Sequence, residues 1–236
     1  MSVYIAEFMG TLILVLLGDG VCANNVLAHS KFRNSGGLFV LIGWCLAVGV
    51  PAGMFAHVSG AHFNPVFTFG LAVAGLFPWD HVIGYMIAQM LGGFVGAVLV
   101  WLFYYPHFQN SPNVPPQDKL GIFCTTPGIR SIPFNLFSEV IATMFLLFGM
   151  LGIATAQPVS GVGTLFVAAI ILVIGTGLGG TTGFAMNPAR DLSPRLVHAI
   201  VPIQGKGSSD WSYSWVPVIG PLIGGVLGAL LYVAVY

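Results

Sequence analysis

Two asparagine–proline pairs, Asn64-Pro65 and Asn187-Pro188, stand 123 residues apart, and each opens a short, moderately apolar stretch. Asparagine is among the best helix N-cap residues and proline suits the first helical turn, so each pair marks a helix start. An amide that caps through its oxygen keeps its N–H donors for another partner. Arg190 follows in the first turn of the second stretch, where a cation works against the helix dipole and is expensive in an apolar setting. Asp191 suits the same dipole and reads as structural support with an effect on the width of any nearby passage. Glu7 and Glu139 lie inside apolar stretches with no basic residue nearby in sequence, so each is expected to accept hydrogen bonds from loop backbone rather than relay protons. His62, two residues before the first pair, is expected to be packed and hydrogen-bonded rather than to hold a metal. These groups offer fixed donors and charge, which recognise a polar solute. No nucleophile, base and orienting group come together, so enzymatic chemistry has no support. Cys22, Cys45 and Cys124 form no CxxC pair and match no zinc spacing, and they read as small hydrophobic residues.

The elements that position these residues are membrane helices. Hydrophobic residues make up 56% of the 236 positions and charged residues 6%, against roughly 25% charged in a soluble domain. So few charges cannot cover a protein of this size in water, and the solvent must be largely lipid. Zero net charge and the absence of a basic run argue against nucleic acid as a partner. A bilayer core needs about 20 apolar residues as a helix, and six stretches qualify: 3–23, 38–56, 81–104, 134–156, 162–180 and 215–236. The first begins without a basic leader or a small-residue cleavage site and reads as a retained span. The stretches 64–77 and 187–200 are too short to cross, rising about 20 Å at most. The segment 105–133, rich in Pro, Asn and Gln, reads as a polar surface connection.

The chain also repeats itself. Ala6-Glu7-Phe8 with Thr11 recurs as Ser138-Glu139-Val140 with Thr143, and Leu91-Gly92-Gly93 with Gly96-Ala97 recurs as Ile223-Gly224-Gly225 with Gly228-Ala229. Gly60-Ala61-His62-Phe63-Asn64-Pro65-Val66 likewise recurs as Gly183-Phe184-Ala185-Met186-Asn187-Pro188-Ala189. Residues 1–104 therefore form one three-span repeat and 134–236 a second, joined by 105–133 in a single membrane domain. Three spans is an odd number, so the second copy runs through the membrane in the opposite sense. The two short helices then enter from opposite faces and their Asn-Pro starts meet near the midplane. Inverted repeats with broken helices are a recurring way to build a solute pathway, and irregular backbone at that depth must be buried or line a cavity. The fold class is thus all-α, with six transmembrane helices and two half-helices in an inverted repeat.

The paired boxes, above all Gly183-Phe184-Ala185-Met186-Asn187-Pro188-Ala189-Arg190-Asp191, together with Ser59-Gly60-Ala61-His62, Glu7 and Glu139, resemble the major intrinsic protein (aquaporin) family. The likeness runs from Ala6 to Ala229 and points to its glycerol-conducting branch. It implies a multi-pass channel of the cell membrane with no cofactor, a homotetramer surrounded by lipid with one pore in each subunit. Asn64 and Asn187 would form the central constriction, where converging helix dipoles exclude cations and protons, as is established for aquaporin-type pores. Arg190 would belong to a selectivity filter, joined by Trp44, Gly175 and Phe184 at positions where the glycerol facilitators carry the same residues. Two aromatics and a glycine leave room for a carbon chain, with Arg190 and backbone carbonyls serving hydroxyls. Asp191 after the arginine is typical of that branch. The solutes implied are glycerol and water; protonated lactic acid, urea and dihydroxyacetone remain alternatives, and an ion-coupled secondary transporter is the rival from another class. One departure is Val66, where the family usually has alanine; two extra methyl groups could displace Asn64 by a fraction of an ångström. A second tension concerns orientation. Cytoplasmic termini would put Lys31, Arg33, Lys119, Arg130, Arg190, Arg195 and Lys206 on the outer side, against the positive-inside tendency.

Overall fold

The computed structural model describes residues 1–156, 159 and 162–236. Within them the chain forms helices α1 (Val3–Val26), α2 (Gly37–Ser59), α3 (Pro65–Val73), α4 (Trp79–Phe103), α5 (Tyr105–Gln109), α6 (Pro116–Phe123), α7 (Ile132–Thr155), α8 (Val162–Leu178), α9 (Pro188–Ile200) and α10 (Val216–Val235). Among the described residues there is no strand. Helices α1, α2, α4, α7 and α10, each of 20 to 25 residues, are long and apolar enough to cross a membrane. The sixth expected span, α8, has 17 residues, the lower limit for crossing the hydrocarbon.

Packing follows the internal repeat. Helix α1 lies against α2 and α4, and α7 lies against α8 and α10 in the same way. Each half-helix packs on the last helix of the other repeat, α3 on α10 and α9 on α4. Glycine makes these approaches possible. A Cβ on Gly92 would come within 2.3 Å of the Phe8 carbonyl oxygen, and one on Gly224 within 2.2 Å of the Val140 oxygen. A Cβ on Gly96 or Gly228 would likewise come within 2.6 Å of the Leu12 or 2.4 Å of the Met144 carbonyl oxygen. Backbone-to-backbone packing through small residues replaces the hydrophobic drive that lipid removes. The outward faces carry exposed apolar side chains such as Leu17, Ile83, Ile87, Phe137 and Leu165, as a lipid-facing surface requires.

Two segments differ from the sequence expectation. The first half-helix ends at Val73, four residues before Phe77, because Gly75 turns left-handed at φ +75°. The Leu76 N–H then closes back on the Leu71 carbonyl at 2.8 Å, a Schellman-type stop. The connection 105–133 contains α5 and α6, and it buries Phe108, Leu120, Ile122 and Phe123. The Phe108 and Phe123 rings stack, and Phe123 also meets the His198 ring at the end of α9. A half-helix leaves its outer end uncovered by a partner span, and this segment covers it.

Candidate functional site

Asn64 and Asn187 meet across the repeat axis. Each caps its own half-helix: Asn64 Oδ1 accepts from the Val66 N–H and Asn187 Oδ1 from the Ala189 N–H, both at 2.9 Å. Each also donates through Nδ2 to the other repeat, Asn64 to the Met186 carbonyl and Asn187 to the Phe63 carbonyl, both at 2.8 Å. A carboxamide nitrogen carries two hydrogens, so one N–H per asparagine remains for a solute. Both asparagines line a cavity of about 370 Å³.

The backbone before each box is held in an unusual shape. Gly60, Ala61 and Phe63 have φ of +83°, +53° and +49°, and Gly183, Phe184 and Met186 match them at +82°, +40° and +52°. For residues with side chains this conformation costs on the order of 1–3 kcal/mol each and persists only where the surroundings enforce it. Buried carboxylates enforce it here. Glu7 accepts from the Ser59 hydroxyl, the His62 and Phe63 N–H groups and Gln89 Nε2, at 2.6–3.0 Å. Glu139 accepts from the Thr182 hydroxyl and the Ala185 and Met186 N–H groups, at 2.7–3.0 Å. The residues whose N–H groups are drawn to the carboxylates also line the cavity. His62 lines that cavity too, and its Nδ1 pairs with the Thr68 hydroxyl, which also receives Gln89.

The same cavity is lined by Trp44, Phe184 and Arg190. The guanidinium lies 3.9 Å from the Trp44 ring centroid, an arrangement that pairs a cation with an aromatic face. Trp44 is fixed in turn by Nε1 donating to Cys22 Sγ and by Gly18, whose missing side chain leaves space for the indole. Gly175 is not part of the cavity wall: a Cβ there would meet Leu41 Cδ1 at 2.1 Å and Phe184 Cζ at 3.2 Å. The absence of a side chain at Gly175 leaves Leu41 and Phe184 the room they occupy. Asp191 does not reach the cavity wall either. Its Oδ2 accepts from the Thr125 N–H and hydroxyl, both at 2.7 Å, and its Oδ1 from Arg195 Nε and Nη2.

Val66 leaves the geometry of the two asparagines matched. Its side chain fills the hollow over Gly225, as Ala189 packs against Gly93. The capping φ values of −152° and −155° and the matched hydrogen bonds show no displacement of Asn64 relative to Asn187. The charge bias also changes meaning. Arg190, Arg195 and Lys119 are buried, and half-buried Lys206 donates to the terminal carbonyls of α9 at His198, Ala199 and Val201. Only Lys31, Arg33 and Arg130 are exposed.

Sequence reasoning passed over Asp19, Leu41, Thr125 and Arg195. Asp19 carried a usable signal, an acid inside an apolar span, and Arg195 another, a cation four residues after Asp191. Leu41 and Thr125 carried none, because only the fold brings them to the site.

A profile of the major intrinsic proteins matches residues 1–232. The chain is 54% identical to the "Probable glycerol uptake facilitator protein" of Thermotoga maritima, over 98% of each chain. It is 50% identical to "Glycerol uptake facilitator protein 3" of Lactiplantibacillus plantarum, over 97% of this chain and 94% of that one. It superposes on the crystal structure of the aquaglyceroporin from Plasmodium falciparum with a TM-score of 0.84 at 32% identity, covering 98% and 95% of the two chains.

Proposed function

The chain belongs to the major intrinsic protein family, and on that premise we propose that it is a passive membrane channel for glycerol and similarly small neutral solutes, water among them. One observation carries the reading. The cavity is lined both by Trp44, Phe184 and aliphatic side chains and by the donor groups of Arg190, Asn64 and Asn187. A polyol has the same division, with carbon on one side and hydroxyls on the other. Trp44, Phe184 and Arg190 form the filter, with Gly175 setting the position of Phe184 from behind. Asn64 and Asn187 form the central constriction, where two helix N-termini converge and oppose cations. Glu7, Glu139, His62 and Asp191 hold the backbone that carries these groups. The channel works as a homotetramer in the cell membrane, each subunit with its own pore.

Stopped-flow swelling of proteoliposomes against glycerol, urea, dihydroxyacetone, lactic acid at low pH and an impermeant control tests this. Glycerol should enter fastest of the carbon solutes, without saturation. A rate equal to protein-free vesicles would refute the assignment.

A further inference from the structure

Behind the filter lies a carboxylate that the proposed function does not use. Asp19, on α1, has no exposed surface, and neither of its oxygens has a hydrogen-bond partner among the described residues. Its Oδ1 stands 3.8 Å from Arg190 Nη1, which is likewise buried and without a partner. Asp19 is not among the residues that line the cavity, whereas Arg190, its neighbour, is. The other acid nearby is fully committed, since Asp191 gives one oxygen to Arg195 and the other to Thr125. The two buried arginines thus each have a buried acid, Arg195 with Asp191 and Arg190 with Asp19.

We propose that Asp19 is the counter-charge of Arg190, a positioning residue that makes the filter electrically neutral and so sets its selectivity for neutral polyols over anions. The inference rests on Arg190 being a filter residue. A buried guanidinium left without a counter-charge would be costly in itself. Together with the half-helix N-termini further in, it would also make the whole passage positive and draw small anions inward. Asp19 cancels the charge from behind while leaving the guanidinium's hydrogen-bond donors facing the pore. Neutral polyols lose nothing by the cancellation, because they are recognised through those donors rather than through the field. Anions lose the attraction. The seat is built into α1: Gly18 admits the Trp44 ring, Asp19 faces Arg190, and Cys22, one turn on, accepts from Trp44 Nε1.

The test compares glycerol with methanesulfonate, a small anion that stays ionised, using the full chain in proteoliposomes with the membrane potential clamped. Asp19→Asn keeps the shape and removes the charge, and it should raise the methanesulfonate-to-glycerol permeability ratio on the order of tenfold. Asp19→Asn combined with Arg190→Gln removes both charges and should return the ratio toward that of the unaltered protein. An unchanged ratio in a folded, glycerol-conducting Asp19→Asn variant overturns the proposal. Should the single variant fail to fold, the double variant decides: folding with anions excluded supports the pair, and misfolding or anion leak refutes it. Arg190→Gln alone separates the two readings, because polyol ranking unmoved by that change would defeat the filter assignment whatever Asp19 does.

Discussion

At the scale of single residues, the proposed filter is a matter of volume and the loops a matter of charge. Phe184 bounds the cavity with its ring, so Phe184→Ala should admit four- and five-carbon polyols that the unaltered channel slows, read as a flatter swelling-rate series from glycerol to ribitol. Gly175→His should act differently from a simple plug. The imidazole would overlap Leu41 and press on Phe184, pushing both toward the pore. Glycerol flux should fall much further than water flux, and an unchanged ratio in a folded protein would show that this corner does not gate polyols. Glu139 gathers one hydroxyl and two backbone N–H groups over residues held at positive φ. Glu139→Gln replaces an acceptor-only group by one whose NH₂ faces donors, and it should destabilise the fold by about 1–3 kcal/mol. Thermal unfolding in detergent would measure the loss, and solute flux should fall with it.

Whole helices meet here through their backbones. The α1–α4 and α7–α10 seams repeat one another, with Gly92 and Gly96 in the first and Gly224 and Gly228 in the second. A side chain at Gly224 would strike the Val140 carbonyl, so Gly224→Val should cost about 1–3 kcal/mol through overpacking, or abolish assembly. Gly20→Ala is the control: nothing lies within 4 Å of that Cβ position, and the change should be neutral or add up to about 1 kcal/mol in helix propensity. Equal yields and melting temperatures for the two variants would contradict close backbone packing. Half-helix α9 has its own device at its far end, where Lys206 satisfies three carbonyls that no following turn can reach. Lys206 therefore serves as a C-terminal cap carrying the charge that suits the dipole.

For the molecule as a whole, two half-helices meeting head to head make a pathway with fixed walls. The α3 and α9 boxes lock to each other through reciprocal asparagine bonds, a geometry that offers no hinge between the repeats at the constriction. Flux should therefore be linear in glycerol concentration and indifferent to proton or sodium gradients. Uphill accumulation driven by either gradient would show a transporter instead.

The sequence by itself determined what local chemistry and periodicity can determine. Apolar runs of span length, two Asn-Pro starts too short to cross and motifs recurring in register were enough for the helices, their inverted arrangement and the asparagines at its centre. Capping is local, so Asn64 and Asn187 were legible as helix starts. The repeat made their meeting legible too, and the spacing of the Gly92 and Gly224 motifs marked the close seams. Charge partnership was not legible, because it depends on which surfaces face each other. Arg190 was conspicuous in the sequence, yet its neighbours Asp19 and Trp44 come from two other helices. Lys119 and Lys206 counted as loop charges until the fold turned them onto backbone carbonyls. The extra volume of Val66 raised a doubt that only Gly225, on a helix of the other repeat, could remove. Gly175 left room in the sequence, but the side chains that take it, Leu41 and Phe184, arrive from other segments of the chain. Helices form from contacts a few residues apart, whereas a pore wall is shared among segments more than a hundred residues apart, and only packing decides which of their side chains meet.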